Sequence, residues 1–79
     1  MLRPLGDLSR LRLLLLLHRV GDLPVFELAT RSEMQPSAVS HALSLLRARD
    51  VVGSRREGKT VVYFLRSADV AAVLDMFIP

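Results

Sequence analysis

The sequence predicts a small, mainly α fold with one β-hairpin (α+β). Two observations carry this. Apolar residues recur at helical spacing over four separate stretches, and between residues 51 and 66 the period shortens to two around a charged tip that contains Gly58. A third observation sets the scale: 79 residues, 51% of them hydrophobic and none tryptophan, make one domain (1–79) with a modest leucine- and valine-built core. A core of that size stabilises only marginally alone, so a homodimer is expected.

The first helix is expected from about Leu8 to Arg19, capped by Asp7 and stopped by Gly21. Leu11, Leu14, Leu15 and His18 share one face at i, i+3, i+4 and i+7, yet Leu13, Leu16 and Leu17 fill others. A helix apolar on so many sides is buried on more than one, against its own core and against a dimer partner or a further helix. The leucine run Leu13 to Leu17 sits among Arg10, Arg12, His18 and Arg19. It is too short for a signal-peptide core and far short of the roughly 20 apolar residues of a membrane span. A cytoplasmic protein without membrane association is expected.

An extended piece, Asp22 to Pro24, leads into a second helix from about Val25 to Arg31, with Val25, Leu28 and Ala29 inward and Pro24 before or at its first turn. A polar break at Ser32 to Gln35 precedes a third helix, from Pro36 to about Arg49. There Val39, Leu43 and Leu46 form an apolar stripe that Ala42 and Leu45 widen. Two helices joined by a tight turn read as helix-turn-helix. The hairpin follows over 51–66: Val51 and Val52, then the tip Arg55-Arg56-Glu57-Gly58-Lys59, then Val61, Tyr63 and Leu65 alternating with Thr60, Val62 and Phe64. Ser67 caps a short final helix to Phe77, which carries Val70, Val73, Leu74 and Phe77. The order of elements is that of a winged helix-turn-helix.

Charge points to a polyanionic partner. Ten of the eleven basic residues are arginine, and the formal net charge is +3 with a pI near 10.6. Arg47, Arg49, Arg55, Arg56, Lys59 and Arg66 fall within one short stretch, against only Asp50 and Glu57. Lack of cysteine removes disulfides, thiolate metal sites and thiol nucleophiles together. With no phosphate-cradling glycine loop, no nucleophile turn and only scattered carboxylates, the chain does not read as an enzyme, and no cofactor is expected.

The third helix is the informative element. Opposite its apolar stripe, Ser37, Ser40, His41 and Ser44 again lie at i, i+3, i+4 and i+7, where a merely solvated face would hold glutamate and lysine. Short hydrogen-bonding side chains, with Gln35 nearby, suit base edges and phosphates of a major groove. Arg55, Arg56 and Lys59 on the wing suit phosphates or a minor groove. For each basic residue alone a solvated turn is the plainer reading, and clustering directly after a helix-turn-helix favours DNA. The rival reading is a winged-helix module that binds protein, favoured by Phe64 on the outward hairpin face unless the final helix or a dimer mate buries it.

Four blocks carry a resemblance: Leu5-Gly6-Asp7-Leu8-Ser9-Arg10-Leu11-Arg12, Leu23-Pro24-Val25-Phe26-Glu27-Leu28-Ala29, Ser37-Ala38-Val39-Ser40-His41-Ala42-Leu43-Ser44-Leu45-Leu46-Arg47 and Arg55-Arg56-Glu57-Gly58-Lys59. Over nearly its whole length the chain resembles the ArsR/SmtB repressors. The resemblance implies a homodimeric repressor on an inverted-repeat operator of double-stranded DNA, released when an effector, here unidentified, is sensed. The expected DNA-binding set is Gln35, Ser37, Ala38, Ser40, His41, Ser44, Arg47, Arg55, Arg56 and Lys59.

Departures matter too. Where members sense metal through Cys-x-Cys, this chain has Pro24 and Phe26, and where they use Asp and His near the C-terminus it has Ser67 and Asp69. Asp69 and Asp75 lack the imidazole or thiolate that transition metals prefer, so no metal site is expected. Ser44 stands where relatives often hold Arg or Lys. Glu33 replaces a turn glycine, so either the turn differs or a non-glycine residue bears a conformational cost.

Overall fold

A computed structural model describes residues 4–77, with side chains from residue 8 onward. The elements in order are α1 (Pro4–Arg19), β1 (Leu23–Pro24), α2 (Val25–Ser32), α3 (Pro36–Ala48), β2 (Val52–Glu57), β3 (Thr60–Leu65) and α4 (Ala68–Asp75). No helix among the described residues is long and apolar enough to cross a membrane.

The helix α1 starts earlier than the sequence suggests. It begins at Pro4, which makes Asp7 a first-turn residue instead of the cap. Both residue types favour a helix start, proline by its fixed φ and aspartate by its charge near the dipole's positive end, so the more C-terminal signal misleads. The end is as expected, with the Val20 and Gly21 amides donating to the Leu16 and Leu17 carbonyls at 2.8 and 3.1 Å. Leu13 and Leu17 are buried in the core, and Leu14 and Leu16 pack against its margin.

That core is closed by Leu28 and Ala29 of α2, Val39, Ala42, Leu43 and Leu46 of α3, and Leu23 and Val52 of the sheet. Leu45 does not join it, being 45% exposed in a shallow depression with Arg10 and Arg49. The predicted polar break begins one residue late, because Ser32 is the last residue of α2 and is buried. Its hydroxyl donates to the Leu28 carbonyl at 2.6 Å, which satisfies it without leaving the helix. The carbonyl of Ser32 in turn accepts from the Arg12 guanidinium at 3.0 Å, tying α1 to the end of α2.

Both helices of the helix-turn-helix end in the same way. Glu33 has φ 60° and ψ 34°, and the amides of Glu33 and Met34 donate to the carbonyls of Thr30 and Ala29 at 3.3 and 3.1 Å. Asp50 also has φ 60°, with the amides of Asp50 and Val51 donating to Arg47 and Leu46 at 3.0 Å each. This is the paired-bond stop usually built on glycine. The turn geometry is therefore kept, and Glu33 bears the left-handed cost.

The sheet has three strands, ordered β1-β3-β2, all antiparallel. The sequence predicts only the hairpin. The extended piece expected over Asp22 to Pro24 contains strand β1, but two residues, one of them proline, show no period that would announce its pairing, Leu23 with Tyr63 and Pro24 with Val62. The tip is also shorter than predicted. Arg55, Arg56 and Glu57 belong to β2, opposite Val62, Val61 and Thr60, and the turn is Gly58-Lys59 alone. Gly58 has φ +66°, as the first position of a type II′ hairpin turn requires. Ser67 caps α4 as expected, its hydroxyl accepting from the Val70 amide at 3.1 Å.

Candidate nucleic-acid interface

The helix α3 is anchored by its apolar stripe, and that anchoring fixes what its other side presents. With Val39, Ala42, Leu43 and Leu46 buried, Ser37, Ser40, His41, Ser44 and Arg47 are all exposed. None of these five side chains bonds to another described residue. At the helix start Gln35 is exposed and makes no side-chain cap, and Pro36 has no N–H to offer. The first helical amide with an acceptor is that of Val39, donating to Gln35 at 3.0 Å. Amides of Ser37 and Ala38 are thus left for an external acceptor, at the end where the helix dipole favours an anion.

The wing rises from the same side of the chain sequence, directly after α3. Arg56 and Lys59 are exposed and bond to no other described residue. Arg55 differs. Its guanidinium donates to Asp22 at 2.5 Å and to Glu57 at 2.5 and 3.0 Å, and it lies 5.9 Å from the centroid of the Phe64 ring. The bonds to Asp22 and then to Glu57 raise its pKa further above the ordinary arginine range. Phe64 is half-buried. Its ring lies across Gly53, where an added Cβ would come within 2.6 Å of it. The outward hydrophobe is covered by its own sheet, a placement the sequence reading did not consider.

Sequence reasoning missed Asp22, whose only signal was a carboxylate in the extended piece ahead of a proline. It also missed the pairing of His18 Nε2 with Asp75 Oδ1 at 2.6 Å, which joins α1 to α4. Among the described residues no group of three or more His, Asp or Glu side chains comes together as a metal would need. Along α1 and α4 runs an apolar groove lined by Leu11, Leu14, Val70, Val73 and Phe77, with Val73 and Phe77 largely exposed.

No family model matches the chain. Individual proteins do. The transcriptional regulator NmtR of Mycobacterium tuberculosis is 45% identical over 74 residues, which are 94% of this chain and 61% of NmtR. The chain thus spans about three fifths of that relative. The solved structure of reduced HlyU from Vibrio cholerae superposes with a TM-score of 0.81 at 38% identity, covering 87% of this chain and 72% of HlyU. The homodimeric winged helix-turn-helix DNA-binding domain of Mb0332 from Mycobacterium bovis, proposed as an ArsR-family regulator, gives 0.80 at 32% identity, covering 92% and 67%.

Proposed function

Because this chain belongs to the ArsR/SmtB family of winged helix-turn-helix transcriptional regulators, we propose that it is a cytoplasmic, sequence-specific repressor acting as a homodimer on an inverted-repeat operator. The observation that carries the reading is the exposed, unpartnered face Ser37, Ser40, His41 and Ser44 of α3, flanked by the unpaired amides of Ser37 and Ala38. Inserted into a major groove, this face reads base edges, while Gln35, Arg47, Arg56 and Lys59 meet the backbone on either side. Short side chains at Ser40 and Ser44 let the helix approach closely.

Dimerisation is assigned to the α1–α4 groove, since it is apolar, open and on a different part of the surface from the α3 face. Val73, 53% exposed, is the better probe of this surface than Leu16, which is partly buried against the margin of its own core. The decisive experiment is a fluorescence-anisotropy titration against duplex from upstream of the coding region and against a scrambled duplex, at two salt concentrations. Binding about a thousandfold tighter to the upstream duplex, weakening as salt rises, is the expected result. Equal affinity for both would remove base reading, and no binding to either would favour a protein-binding module.

A further inference from the structure

We propose that Arg55 is a positioning residue that holds the wing at a fixed angle to the helix-turn-helix, and is not one of the wing's phosphate contacts. The proposal rests in part on the DNA-binding reading above, which it refines. Three observations support it. First, Arg55 sits on edge strand β2, pairs with Val62 of central strand β3, and reaches across the Phe64 ring to Asp22 at 2.5 Å. Asp22 immediately precedes β1, the other edge strand. One side chain therefore spans the full width of the sheet. Second, its Nε and Nη2 atoms also donate to Glu57 on its own strand, at 3.0 and 2.5 Å. Two carboxylates already face this cation, so a phosphate there would have to displace one of them or be repelled by both. Third, β1 is only two residues long and runs straight into α2 at Pro24. The base of the hairpin is held by Val52 in the core, but two residues of pairing are little support for β3 along its β1 edge, and a bond from β2 to Asp22 adds to it.

Neighbouring Arg56, with its side chain on the opposite face of β2, has no such partner among the described residues and is exposed. Two adjacent arginines thus divide the work, one holding the wing and one meeting DNA. Ordering the wing before binding removes that cost from association, so loosening it weakens affinity without removing a charge contact.

The test compares Asp22→Asn, Arg55→Gln, their double variant and Arg56→Gln. In the free protein, backbone order parameters at Gly58 and Lys59 are expected to fall from about 0.8 to below about 0.6 in the first three variants and to stay unchanged in Arg56→Gln. Melting temperatures change little, because all these side chains are exposed. With DNA, Asp22→Asn and Arg55→Gln each lose about threefold to tenfold in affinity, the double variant loses no more than either alone, and the salt slope is kept. Arg56→Gln instead lowers the slope by about one unit. Order parameters unmoved by Asp22→Asn and Arg55→Gln overturn the assignment. A slope lowered by Arg55→Gln, or tighter binding from Asp22→Asn, overturns it equally. Should the wild-type chain bind no duplex, the repressor reading falls while the order parameters still decide the brace.

Discussion

Glu33 shows how a residue can disobey its local rule and still be read. A left-handed φ of 60° costs a β-carbon roughly 1–2 kcal/mol, and glycine, though freer in the unfolded chain, avoids it. Glu33→Gly is expected to stabilise the protein by about 0.5–1 kcal/mol in urea unfolding; a loss of stability would mean that the glutamate side chain contributes to folding by another route. Gly53 is the reverse case, a glycine required by space. A Cβ there meets the Phe64 ring at 2.6 Å, so Gly53→Ala should cost about 1–3 kcal/mol. Much of that should return in a Phe64→Leu background, and no recovery would place the strain elsewhere. The Glu33 geometry was legible as one of two alternatives. The Gly53–Phe64 contact was not, because it depends on a cross-strand register that no local pattern encodes.

Among the elements, those with long, one-sided apolar patterns were readable to within a residue or two. The helix α3 is the clearest case: Pro36 at its start, Val39, Leu43 and Leu46 inward, and the serine-histidine face outward. Its exposed Leu45 was misread because the stripe is wider than the core it packs on. The two-residue β1 was read as extended but gave no signal of its place in the sheet, and the tip was drawn too wide because charged residues extend down β2 from the turn. Capping chemistry was a sound guide at α4, where Ser67→Ala is expected to cost about 1 kcal/mol in thermal unfolding. Within α3, Ser40→Ala or His41→Ala should cost about 1–3 kcal/mol at one base-pair position of the operator. Identical losses on scrambled duplex would show that the face grips DNA without reading it.

For the molecule as a whole, the apolar excess of α1 made sense only once two burial surfaces were available. Leu13 and Leu17 serve the chain's own core, while Leu11 and Leu14 face the groove beside α4. That second surface was expected from the leucine count, but its α4 half was not, since an eight-residue helix of about two turns does not say which neighbour it will meet. Val73→Glu should convert dimers to monomers in sedimentation equilibrium while leaving the fold intact, because Val73 lies outside the core. An undisturbed dimer would assign self-association to another face. Losing the dimer should also weaken operator binding far more than binding to a single half-site, since one helix-turn-helix covers only half of a palindrome.

That the side chains of Ser37, Ser40, His41 and Ser44 bond to no other described residue has an evolutionary consequence. Residues that hold nothing together can change without endangering the scaffold, whereas the buried stripe one face away tolerates little. On the proposed reading, address and architecture thus lie on separate sides of a single helix. A library randomised at these four positions should remain folded in almost every member, and its survivors should differ in the promoters they recognise.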